Sequence, residues 1–94
     1  MKPAELTPGC AWELAKILHE AGCPTGVFNL VMGPGSTVGA RIVEHPGIDA
    51  ISFTGSVATG NTIAVQCAST GTRVQMELGG NNPLAVVEDT ELAL

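Results

Sequence analysis

Three glycine-rich turns carry most of the residues that could do chemistry. They are Gly33-Pro34-Gly35-Ser36-Thr37-Val38-Gly39, Phe53-Thr54-Gly55-Ser56 and Glu77-Leu78-Gly79-Gly80. Glycine lets a phosphate approach the backbone, and a helix that follows offers unpaired N–H groups and a partial positive charge. The first turn reads GxGxxxG, one residue longer than the usual dinucleotide fingerprint. A plain strand-to-helix turn also uses glycines, so this spacing alone leaves both readings open. The third turn begins with a carboxylate. Glu77 follows Val74-Gln75-Met76, and a carboxylate at the end of such a strand is expected to be partly desolvated. Desolvation raises a carboxyl pKa and suits the group to general-base work. An ordinary surface glutamate is the alternative. His19 and His45 have no Cys or carboxylate at metal-ligand spacing, so no metal site is expected. Trp12 falls on a predicted helix and reads as a packing residue.

The elements that must position these turns follow from the pattern between them. Thr7-Pro8 reads as a helix start, with proline where its missing N–H costs nothing. Ala11, Leu14, Ala15 and Leu18 recur at helical spacing, and Gly22 and Pro24 stop the helix. Val27 to Met32 is a short apolar run, the kind buried on both faces of a parallel sheet. A helix over Thr37 to Glu44, a strand over Ile48 to Phe53 and a helix over Val57 to Ala68 follow. Arg73 to Leu78 and Leu84 to Val87 read as two more strands, and Asp89-Thr90 as the cap of a further helix. Helices alternating with apolar strands predict an α/β fold: a parallel sheet, right-handed crossovers and flanking helices. Ligands of such sheets bind at the carboxyl ends of the strands, where all three turns fall.

Composition narrows the function. The chain has 94 residues with nine acids and four bases, a net charge of −5. An acidic chain without a basic cluster is a poor match for nucleic acid or an anionic membrane surface. The mean hydropathy is +0.31, and 45% of residues are hydrophobic against 14% charged. That excludes disorder, yet no apolar run nears the roughly 20 residues of a membrane span. So apolar a chain is expected to expose apolar edges and to self-associate. Cys10, Cys23 and Cys67 form no CxxC pair. An odd count without a pair argues against a disulfide framework. No secretory signal opens the chain. A reducing, cytoplasmic setting is expected, and an organelle matrix fits as well.

Taken together, Lys2-Pro3-Ala4-Glu5-Leu6-Thr7-Pro8, Phe53-Thr54-Gly55-Ser56 and Glu77-Leu78-Gly79-Gly80-Asn81-Asn82-Pro83 resemble the aldehyde dehydrogenase superfamily in order and spacing. The resemblance runs through all 94 residues. It implies a partial Rossmann-like NAD(P)-binding domain over residues 1–94, running into a catalytic domain near 78–94. It implies that Lys2 and Glu5 meet the adenosine ribose hydroxyls. The charge of Glu5 would repel a 2′-phosphate and so favour NAD over NADP. Gly35 would lie under the adenosine. Ser56 would donate to the pyrophosphate, with Gly55 permitting the approach. Phe53 and Leu78 would lie beside the nicotinamide half. Thr59 stands where members often carry an apolar residue against the adenine. Thr54, Gly60 and Gly79 complete the cofactor-binding set. Glu77 would be the general base that activates water to hydrolyse a thioester.

The resemblance also implies a small aldehyde substrate and a homo-oligomer. The family's nucleophilic cysteine falls beyond Leu94, and Cys10, Cys23 and Cys67 match no such position. The chain therefore reads as an internal slice of a longer enzyme, inactive alone. The alternative is a catalytically silent remnant or interaction module of the same ancestry.

Overall fold

A computed structural model describes residues 1–83 and 85–87. Helix α1 spans Gly9–Glu20. Pro8 bounds it, and the Trp12 N–H donates to the Pro8 carbonyl at 3.0 Å. The Thr7 hydroxyl makes no capping bond. Gly22 follows the helix at φ 86°, as its place in the sequence predicts. A five-residue π-helical turn, Gly35–Gly39, runs directly into α2, Ala40–Glu44. The helix expected from Thr37 thus starts two residues earlier and opens wide. Strand β1 is Ala50–Gly55, α3 is Val57–Thr70 and β2 is Arg73–Leu78.

β1 and β2 pair in parallel, from Ala50 opposite Arg73 to Gly55 opposite Leu78. Helix α3 is the crossover between them and packs on both strands and against α2. The α/β, partial Rossmann-like architecture expected from the sequence is therefore present.

Two expected strands are not. Residues 27–32 carry a single rung: the Met1 amino group donates to Asn29 O at 2.6 Å, and Val31 N–H to Met1 O at 2.9 Å. That is one parallel bridge. The next donor due on the ladder is residue 3, and Pro3 has no N–H to give. Without a second rung, the stretch is no strand: Val27 closes a turn on Pro24 and is 71% exposed, and residues 29–32 are irregular. Ala85 to Val87 is also irregular, with Val86 and Val87 exposed. Leu84 and the Asp89-Thr90 cap lie outside the described residues.

The core is small. Ala11, Ile63 and Cys67 are its buried hydrophobic residues. The Cα radius of gyration is 17.7 Å, against about 12 Å for a compact chain of this length. Trp12, expected to pack, is 55% exposed. No helix of the described residues is long and apolar enough to cross a membrane.

Candidate functional site

Side chains alternate along a strand, so the β1–β2 ladder has two unlike faces. Ile51, Phe53, Val74, Met76 and Leu78 point to the face that α3 covers. Ser52, Thr54, Gln75 and Glu77 point to the other, and all four are exposed. Thr54 stands opposite Glu77 at the carboxyl end of the ladder. This corrects one expectation: Glu77 is exposed, so the described residues do not desolvate it.

At the same edge the chain turns from β1 into α3. Ser56 is the N-cap of α3; its Oγ accepts from the Thr59 N–H at 3.2 Å and donates to Thr59 Oγ1 at 2.9 Å. The first helical bond runs from the Gly60 N–H to the Ser56 carbonyl at 2.9 Å. The N–H groups of Val57 and Ala58 precede that bond and stay available. No acidic residue stands in the first turn of α3. An uncompensated helix N-terminus with a hydroxyl at its cap suits an anion such as a pyrophosphate.

Two glycines at this edge leave room for neighbouring side chains. A Cβ at Gly55 would stand 2.5 Å from the tip of the Phe53 ring, and a Cβ at Gly60 would stand 2.5 Å from Leu78 Cδ2. Phe53 and Leu78 thus fill the covered face right to its end.

A second cluster forms around the Gly33–Gly35 turn. Lys2 is partly buried, and its ammonium donates to the carbonyls of Pro3 and Gly33, the latter at 3.2 Å. Glu5 Oε2 accepts from the Gly35 N–H at 3.3 Å. One segment therefore grips the turn by a cation and by an anion. A half-enclosed cavity of about 120 Å³ lies between them, lined by Pro3, Ala4, Glu5, Met32, Gly33 and Pro34 among others. A larger, shallow apolar hollow of about 550 Å³ lies along Val38, Ile42 and Ile48. Thr37, Arg41 and His45 also line it, and it holds none of the residues expected to act.

The sequence from residue 1 to 94 matches the aldehyde dehydrogenase family. The chain belongs to that family. α-Ketoglutarate semialdehyde dehydrogenase of Haloferax volcanii is 46% identical over 93 residues, covering 99% of this chain. This chain spans 19% of that protein. Aldehyde dehydrogenase C of Pseudomonas syringae, solved with NAD+ and octanal, superposes with a TM-score of 0.83 at 50% identity. The match covers 87% of this chain and 17% of that one. An NADP-dependent enzyme of E. coli superposes with a TM-score of 0.82 at 44% identity, over 85% of this chain and 17% of its own.

Within this aldehyde dehydrogenase chain the expected site residues fall into two groups. Lys2, Glu5 and Gly35 meet at the first turn. Phe53, Thr54, Gly55, Ser56, Thr59, Gly60, Glu77, Leu78 and Gly79 gather at the sheet edge. No hydrogen bond among the described residues joins the two groups. The cysteines lie apart from both strand ends: Cys10 is exposed on α1, Cys23 half-buried and Cys67 buried in α3. Gly33 opens the first turn but is not among the site residues expected from the sequence. Its φ is 146°, and a Cβ there would stand 2.6 Å from Val38 Cγ2. The GxGxxxG spacing carries the signal, for its first glycine is the one whose backbone excludes a side chain.

Proposed function

We propose that this chain is part of the cofactor-binding domain of an NAD-dependent aldehyde dehydrogenase, reaching the start of its catalytic domain near 78–94. The observation that carries the reading is the shared edge of Ser56 and Glu77. An anion-ready helix start and a carboxylate with an open face sit at the ends of two adjacent strands.

NAD+ supplies the acceptor for the hydride that leaves the aldehyde carbon. Ser56 and the free N–H groups of α3 hold the pyrophosphate, with Gly55 and Thr54 beside it. Thr59 flanks the adenine; Gly60 and Gly79 keep the backbone close. Phe53 and Leu78 wall the nicotinamide side. Lys2 and Glu5 take the ribose hydroxyls beside Gly35, and Glu5 opposes a 2′-phosphate. Glu77 projects from the ladder face away from α3, where it would be open to water.

The nucleophile of this reading is a cysteine outside these 94 residues. Its thiolate adds to the aldehyde carbonyl to give a hemithioacetal, whose carbon gives up a hydride to the acceptor and becomes an acyl thioester that awaits water. Glu77 takes a proton from that water as its oxygen attacks the acyl carbon. The carboxylic acid leaves and the thiolate is restored. The working form is a cytoplasmic homo-oligomer acting on a small aldehyde, and the 94-residue chain alone is inactive.

The test uses the native polypeptide that carries this sequence. Its intact mass is measured, then NAD+ reduction is followed with propanal. A mass several times 9.6 kDa with aldehyde-dependent NADH supports the reading. A mass near that of the 94-residue chain, with no NADH, leaves the silent remnant.

A further inference from the structure

We propose that Leu78 is a positioning residue: seated in the notch at Gly60, it fixes Glu77 relative to Ser56. The inference rests on the reading of Glu77 as the base and of Ser56 as a pyrophosphate donor.

Gly60 is buried in the first turn of α3, and its N–H donates to the carbonyl of Ser56 at 2.9 Å. A Cβ at Gly60 would stand 2.5 Å from Leu78 Cδ2, 3.1 Å from Cδ1 and 3.4 Å from Cγ. Real Cβ atoms essentially never come within 3.0 Å of a neighbour. The isobutyl group of Leu78 therefore occupies the space that a side chain at position 60 would take.

Leu78 is also the residue after Glu77, and alternation sends the two side chains to opposite faces. Leu78 pins the strand end from the covered side while Glu77 projects from the bare one. Among the described residues the Glu77 side chain has no hydrogen bond. The side-chain bonds of Ser56 go to Thr59 in its own turn. The seat of the Leu78 side chain on Gly60 is thus a direct tie between the turn Ser56 caps and the strand end Glu77 occupies. In a close-packed contact such a tie transmits displacement rather than absorbing it. A shift of about 1 Å at a reacting group costs on the order of a hundredfold in rate.

The experiment is a double-variant cycle in the native polypeptide, with propanal and NAD+. The variants are Leu78→Ala, Gly60→Ala and the pair together. Leu78→Ala removes the plug without a clash. It is expected to lower the steady rate at least tenfold while the initial burst of NADH persists, a split that neither a stability defect nor a lost nicotinamide contact produces, because hydride transfer precedes the step Glu77 serves. Gly60→Ala displaces the strand end and lowers kcat as well. The pair is expected to be no worse than Leu78→Ala alone, because the clash has gone with the side chain. If the two losses multiply in the pair, or if Leu78→Ala turns over at the wild-type rate, the inference is overturned. The second criterion holds even if Gly60→Ala fails to fold. Absence of NAD+-dependent oxidation in the wild type sinks the functional reading, and this inference with it.

Discussion

Thr54 and Glu77 stand opposite one another at the carboxyl end of the parallel ladder, on the face that α3 leaves bare. Glu77 is exposed on that side. A base that acts only in the release of the acid should leave the first hydride transfer intact. Glu77→Gln keeps the size of the side chain and removes its proton acceptor. The expected outcome is a burst of NADH equal to the sites present, followed by a steady rate lower by about 10²–10⁴-fold. Rapid-mixing kinetics would show it. An unchanged steady rate would remove Glu77 from the mechanism.

Ser56 serves α3 and an anion through the same oxygen. Ser56→Ala deletes the bond to the Thr59 N–H and should cost about 1 kcal/mol of stability. Ser56→Asp restores the cap, and its charge suits the helix dipole. It also places a negative charge where the pyrophosphate would sit. The aspartate variant should therefore melt near the wild type while losing NAD+ binding. Calorimetry of melting and of NAD+ titration, on the native polypeptide, separates the two effects. Full NAD+ affinity in Ser56→Asp would move the pyrophosphate elsewhere.

The parts of the fold that were legible in the sequence are those fixed by local pattern. β2 matches its expected span residue for residue, because Arg73 to Leu78 lies between a glycine stop and a glycine turn. α3 starts at Val57 as expected, because Ser56 caps it. Residues 27–32 read as a strand because apolar content is a local signal, whereas a strand needs a partner. Pro3 ends that partnership after one rung. The exposure of Glu77 was likewise out of reach, since it depends on which ladder face α3 covers. Helix spacing cannot say that. The Gly60 notch also needs both elements in place, for Leu78 lies eighteen residues further along.

Glu5 holds the Gly35 N–H with a charged oxygen, and its charge rather than that bond is what opposes a 2′-phosphate. Glu5→Gln keeps a carbonyl acceptor for the Gly35 N–H and removes the charge. The turn should survive. The affinity for NADP relative to NAD should rise about tenfold, equivalent to about 1.4 kcal/mol. Salt should shrink the effect, because Glu5 is exposed and screened. Parallel titrations with the two cofactors would measure it. An unchanged ratio would assign cofactor choice to other residues.

Two separable constraints exclude a side chain at Gly33. Its φ of 146° disfavours any residue with a Cβ, and that Cβ would meet Val38 Cγ2 at 2.6 Å. Gly33→Ala should destabilise the turn by about 1–3 kcal/mol from the backbone conformation alone, with the clash adding to it. Val38→Ala removes the clashing methyl and leaves the backbone cost. The pair Gly33→Ala with Val38→Ala should therefore recover part of the loss and never all of it. Amide exchange at Thr37, Val38 and Gly39, whose N–H groups converge on the Pro34 carbonyl, reports the turn directly. Complete recovery in the pair would mean that the positive φ costs nothing here. No recovery would mean that Val38 gives way freely and the backbone bears the whole cost.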